Sequence, residues 1–158
     1  MTTPALTTFA DEVQHLTYDL VRYYAVCDRV CTEELNITAS QGYILMAMPE
    51  TGSITMNDLS AAMRLANSTM TRMVEGLVQK EMIAREPDPK DRRVVRVRLT
   101  GQGLDVRTRL KAALQDLFTQ VLQIIPEAER PTILHSLETL NAAVLTALRA
   151  CCGSELKE

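Results

Sequence analysis

Apolar residues recur at intervals of three and four from Leu6 to Val78, alternate with polar ones between Ile83 and Leu99, and return to the helical interval after Leu104. Intervals of three and four line one stripe of an α-helix, whereas alternation lines one face of a strand. The pattern therefore predicts helices with a single β-hairpin among them, a mainly α fold with a small β element. At 158 residues the chain can bury one core, or two small ones sharing a long helix. Aromatic residues make up 4% and tryptophan is absent, so that core is expected to be aliphatic.

The first helix carries Leu6, Phe9, Val13, Leu16, Leu20, Tyr23, Cys27 and Val30 as a seam of coiled-coil type, with Asp11, Glu12, Asp19 and Arg22 off it. It would run about 40 Å, longer than a small domain needs, which predicts packing against another chain. Asn36 ends it, and Thr38-Ala39-Ser40-Gln41 can cap a second helix reaching Met48. Pro49 and Gly52 close that helix, Ser53-Ile54 leaves room for a short strand, and Thr55-Met56-Asn57-Asp58 caps a third helix. The third helix is expected to stop near Arg64 to Ala66, with Asn67-Ser68-Thr69 as the N-terminal cap of a fourth. Met70, Met73, Val74, Leu77 and Val78 are that fourth helix's buried stripe, leaving Ser68, Thr71, Arg72 and Glu75 outside.

Ile83 to Glu86 and Val95 to Leu99 then alternate around the turn-rich tract Pro87-Asp88-Pro89-Lys90-Asp91-Arg92-Arg93, predicting a hairpin with a charged tip and Val95, Val97 and Leu99 on its inner face. Thr100, Gly101 and Gly103 lead into a fifth helix ended by Pro126, and a sixth carries Leu137, Leu140, Val144, Ala147 and Cys151.

Overall net charge is −3, an unpromising balance for a partner made of phosphates. Residues 55–100, however, hold nine Lys and Arg against six Asp and Glu, a local balance of +3 that leaves −6 for the rest. A basic lobe between acidic ends can meet a polyanion on one face. No stretch of 18 apolar residues and no charged start followed by an apolar run occurs, so the expectation is a cytoplasmic chain with no membrane partner. The four cysteines, Cys27, Cys31, Cys151 and Cys152, lack the spread of a secreted disulfide scaffold and default to free thiols.

Two short helices joined by a tight turn and followed by a hairpin make a winged helix-turn-helix. Its second helix, about 10 Å across, fits a major groove of about 12 Å. Arg72 is the leading base reader because its fork can donate twice to guanine O6 and N7, with Ser68, Thr69 and Thr71 available to phosphate or base. At the tip, Arg93 can enter the narrow, electronegative minor groove, with Asp91 placed to hold its guanidinium and Arg92 within reach of a phosphate. Arg96 and Arg98 are expected to be outward strand charges. No phosphate loop or serine elbow points to an enzyme, and His15 and His135 stand alone.

The run from Asn67-Ser68-Thr69-Met70-Thr71-Arg72 through Glu86-Pro87-Asp88-Pro89-Lys90-Asp91-Arg92-Arg93 to Leu99-Thr100-Gly101-Gln102-Gly103 resembles the signature of the MarR family of bacterial winged helix-turn-helix regulators, and the order of the six helices agrees with it. The resemblance implies a helical dimerisation region from residues 1–34 and 101–152, a DNA-binding domain at 36–100, and a flexible tail at 153–158. It further implies a homodimer on a near-palindromic duplex site, often a repressor released by a small ligand or by thiol oxidation. Asp91 and Arg93 match the family's wing pair, and Thr71 and Arg72 match positions on its recognition helix. The family's effector pocket implies candidates in Arg22, Tyr23, Tyr24, Tyr43 and Met46, although ordinary packing accounts for the apolar ones equally well. No cofactor is implied. Two alternatives stay open: a redox or metal sensor built on Cys27, Cys31, Cys151 and Cys152, and a winged helix that binds protein and not DNA.

Overall fold

The structure is a computed structural model that describes residues 4–151, with side chains from Leu6 onward; Cys152 and the tail 153–158 lie outside the described residues. The chain divides between Ala39 and Ser40 into two units. The first is dominated by α1 (Pro4–Glu33), a helix of 30 residues. It ends as the sequence anticipates, with Asn36 at φ 53° and the Ile37 amide turned back onto the Thr32 carbonyl. Asparagine enters this left-handed region at little cost, which suits it to a helix terminus.

The second unit comprises α2 (Ala39–Ala47, mostly beyond the boundary), β1 (Ile54–Thr55), α3 (Met56–Met63), α4 (Asn67–Gln79), β2 (Ile83–Pro87), β3 (Val95–Leu99), α5 (Gly101–Ile124), a 3-10 turn at Glu127–Glu129 and α6 (Arg130–Cys151). The three strands form an antiparallel sheet in the order β1-β3-β2. Ile54 faces Val97 across one pair; Ile83 faces Leu99 and Glu86 faces Arg96 across the other. The core of this unit gathers Ile44, Leu45 and Met48 after α2's start, Leu59 of α3, Met70, Val74 and Leu77 of α4, Met82, Ile83, Val97 and Leu99 around the sheet, and Val106 and Leu110 of α5. Each buried aliphatic side chain of this size contributes roughly 1.5–3 kcal/mol.

Val95 departs from the expected inner face: it is 42% exposed, at the tip end of the hairpin where it pairs with Pro87. The Leu99-Thr100-x-x-Gly103 run has a plain mechanical basis. Thr100 caps α5 by accepting from the Gly103 amide at 3.0 Å, and its hydroxyl donates to the Glu81 carbonyl at 2.6 Å. Gly103 lies so close to the Met82 carbonyl that a Cβ there would fall 1.9 Å from its oxygen. Beyond Leu110, α5 leaves Phe118, Val121, Leu122 and Ile124 exposed, and α6 has no buried residue among those described. Among the described residues, no helix is long and apolar enough to cross a membrane.

Candidate nucleic-acid interface

Two capped turns place α4. Thr55 caps α3, accepting from the Asp58 amide at 3.1 Å while donating to the Asp58 carboxylate at 2.7 Å. The helix stops when Arg64 takes φ 53°, and its amide returns to the Ala61 carbonyl. The expected cap at Asn67-Ser68-Thr69 is corrected: α4 starts at Asn67 and its N-cap is Ala66, extended at φ −62° and ψ 142°, with no side-chain cap bond. Asn67 stands inside the helix as its first residue, not at the cap position, and its side-chain amide donates to Asn57 Oδ1 on α3 at 3.1 Å.

Burial of Met70, Val74 and Leu77 fixes the inner side of α4. Ser68, Thr71, Arg72 and Glu75 are all exposed, spaced by three, four and seven residues, and share the outer face. Thr69 is exposed beside them. The Arg72 guanidinium has no partner among the described residues and is free to meet a ligand. Thr71 is less free: its hydroxyl donates to the Asn67 carbonyl at 2.7 Å, so in this rotamer it can accept a hydrogen bond but not give one to a phosphate oxygen.

The wing tip is a stack of side-chain-to-backbone turns. Asp88 Oδ1 accepts from the amides of Lys90 at 2.8 Å and Asp91 at 3.2 Å; the amide of Val94 donates to the Asp91 carbonyl at 2.9 Å. Asp91 Oδ1 accepts from the backbone amide of Arg93 at 3.0 Å. Sequence reasoning placed Asp91 against the Arg93 guanidinium; in the structure its carboxylate accepts from the Arg93 backbone amide and shapes the turn instead. The Arg93 guanidinium is left exposed, without a partner among the described residues, and so is that of Arg92.

Arg93, Val94 and Val95 of the wing, Met56 and Asn57 of α3, and Asn67 and Thr71 of α4 line one groove of about 280 Å³. Asn57 and Asn67 were invisible as site residues in the sequence, where they read only as capping material. Arg96 was misread as an outward charge. It is 27% exposed and donates from Nη1 to Asp88 Oδ2 at 3.0 Å, from Nε to Ser53 Oγ at 2.8 Å and from Nη2 to the Ser53 carbonyl at 2.6 Å. The Lys90 amide first, and the Arg96 guanidinium second, hold the Asp88 carboxyl below the usual carboxylate range. Arg98 does lie outward, 3.4 Å from Glu86.

The other candidates fall in separate places. Arg22 pairs with Asp19 at 2.9 Å and sits 5.4 Å from the exposed Tyr23 ring, both on α1. Tyr24, half-buried on the same helix, has its hydroxyl pKa pushed up by burial and then by Asp28. Tyr43 is exposed and Met46 half-buried on α2. Cys27 and Cys31 are half-buried on α1, and Cys151 is exposed at the end of α6. Burial, then Cys27, Asp28 and Glu34, raise the Cys31 pKa, which disfavours the thiolate that metal binding or oxidation requires.

A model of the MarR family matches residues 37–95, spanning the groove, α4 and the wing. The chain is 28% identical to the HTH-type transcriptional repressor MdtR of Bacillus subtilis over 114 residues, 72% of this chain and 74% of that protein. It is 37% identical over 86 residues to the uncharacterized HTH-type transcriptional regulator YsmB of the same organism, covering 52% of this chain and about three-fifths (59%) of that relative's length. Among solved structures, YusO of Bacillus subtilis shares the fold with a TM-score of 0.70 at 23% identity, over 90% of this chain and 99% of that one. A mutant MarR from E. coli, crystallised in complex with operator DNA, superposes with a TM-score of 0.70 at 25% identity, over 82% of this chain and 93% of that one. Residues 37–95, which hold the groove, α4 and the wing, thus match the MarR family, and the chain as a whole has the fold of the MarR structures it resembles.

Proposed function

We propose that the protein is a homodimeric repressor that binds a near-palindromic duplex, with α4 in the major groove and Arg93 in the adjacent minor groove of each half-site. The observation that carries the reading is the groove itself: Arg93 of the wing lines it together with Asn67 and Thr71 of α4, and the guanidinium groups of Arg93 and of Arg72, next to Thr71, have no partner among the described residues. A helix in one groove and a wing in the next require a sugar-phosphate strand to pass between them. The repressor relative and the operator-bound structure of the similar E. coli protein support the same reading.

Ser68, Thr69, Thr71, Arg72, Asp91, Arg92 and Arg93 then form the DNA face within residues 36–100, while 1–34 and 101–152 serve dimerisation. The protein acts in the cytoplasm and carries no catalytic site in this reading. Arg22 over Tyr23 supports a small anionic effector, though Asp19 competes for the same cation. The raised thiol of Cys31 weighs against control by oxidation.

The test is selection of duplexes from a random pool by the full chain, followed by titration at several salt concentrations. Affinity should fall steeply with salt. Arg72→Ala should cost about 10- to 100-fold and relax preference at one base pair, and Arg93→Ala should weaken binding wherever the minor groove is narrow. A pool that enriches nothing, or an Arg93→Ala variant that binds like wild type, overturns the reading in favour of a protein-interaction module.

A further inference from the structure

We infer that Arg96 and Asp88, neither placed at the DNA face above, are positioning residues that aim Arg93, through a relay that runs from Ser53 to the wing tip. The inference rests on the reading of Arg93 as a minor-groove contact. A loop of seven residues between β2 and β3 has many backbone states, and a cation at its tip loses affinity for every state that has to be frozen on binding.

The relay removes that freedom one link at a time. The Ser53 carbonyl and hydroxyl take two donors of Arg96; a third goes to Asp88 Oδ2. The other oxygen of Asp88 holds the Lys90 and Asp91 amides, and Asp91 in turn holds the amide of Arg93. Isolated exposed ion pairs contribute little, but here the side chains of Arg96 and Asp88 are only 27% and 15% exposed and each makes several bonds at once.

The near end of the relay matters as much as the far end. Ser53 lies two residues before Thr55, the cap of α3, so the clamp joins the wing to the start of the helix-turn-helix. It therefore sets the placement of Arg93 relative to Thr71, both of which line the groove. A guanidinium with three donors committed inside the protein is not itself a DNA contact; its effect has to pass through Arg93.

A double-mutant cycle on duplexes selected by the wild-type chain separates these roles. Arg96→Met should weaken binding about tenfold and erase A·T preference at the base pairs that lose it in Arg93→Ala, leaving preference at the Arg72 position unchanged. In the Arg93→Ala background the same change should cost no more than about twofold, since nothing remains to aim. Arg96→Lys, which cannot span Ser53 and Asp88 together, should fall between, and Asp88→Asn, keeping an acceptor for the two amides, should be milder than Asp88→Ala. Equal losses in both Arg93 backgrounds would overturn the relay while leaving the DNA-binding reading intact; an Arg93→Ala variant with unchanged affinity would overturn that reading first. If Arg96→Met melts below the assay temperature, Ser53→Ala and Asp88→Asn complete the cycle with Arg93→Ala, and additive losses there overturn the relay equally.

Discussion

Gly103 has no room for a methyl group. A Cβ at this position would meet the Met82 carbonyl oxygen at 1.9 Å and its carbon at 2.9 Å, and the same carbonyl accepts a hydrogen bond from the Thr100 amide. Neither side can yield without moving the start of α5 away from the sheet. Gly103→Ala should therefore destabilise the folded chain by about 1–3 kcal/mol or more, read as a lowered midpoint in thermal unfolding. Gly101→Ala, two residues earlier with nothing within 4 Å of its Cβ, should leave the midpoint nearly unchanged. Equal effects at the two positions would contradict the steric account. Single residues also mark how far a sequence can be read. Thr55 and Asp58 were legible as a cap because the whole exchange is local. Asn67 was not, because its partner Asn57 lies ten residues away on another helix and only the folded turn brings them together.

At the scale of the element, the wing is the part whose sequence announces its shape most openly and conceals its mechanics most fully. Alternation and the Pro-Asp-Pro tract determine strand, turn and charged tip without reference to the rest of the chain. The role of Arg96 depends on a third strand: β1 pairs with β3 opposite Arg96, so an apparently solvent-facing position becomes a covered one. Asp88 at the base of this element confers a pH dependence. Its carboxyl lies below the usual range because the Lys90 amide and the Arg96 guanidinium favour the charged form. A depressed folded value means that the ordering it supplies is complete above the ordinary carboxylate pKa and disappears as pH falls through the lower folded one, under about pH 4. Carbon NMR of the Asp88 carboxyl should show that lowered midpoint, and protection of the Lys90 and Asp91 amides should vanish over the same interval. A midpoint at or above that of an unperturbed aspartate would remove the basis for the clamp.

For the whole molecule, the informative surface is the one left uncovered. Leu134, Leu137, Leu140, Val144 and Leu148 recur along α6 at helical intervals and are exposed, as are Phe118, Val121 and Ile124 on the later turns of α5 and Leu16, Leu20, Tyr23 and Val30 on α1. Single chains rarely present so much apolar surface to water; in the homodimer proposed above, a second copy of the chain covers these stripes. The seam spacing was visible in the sequence, but which chain covers it was not, because periodicity records that a face is buried and says nothing of what buries it. Two lobes joined through such an interface would stand at a fixed separation, and successive major-groove faces on one side of a duplex recur roughly every 34–36 Å. Inserting five base pairs at the centre of a selected palindrome turns one half-site by about half a helical turn, so affinity should drop toward that of a single half-site. A Leu137→Glu, Val144→Glu chain, whose α6 stripe is now charged, should sediment as a monomer and bind the spaced and unspaced duplexes equally, at that same weak level. If it still sediments as a dimer, α6 is not the interface; if the wild type tolerates the insertion, the two lobes are not held at a fixed distance and each reads its half-site alone.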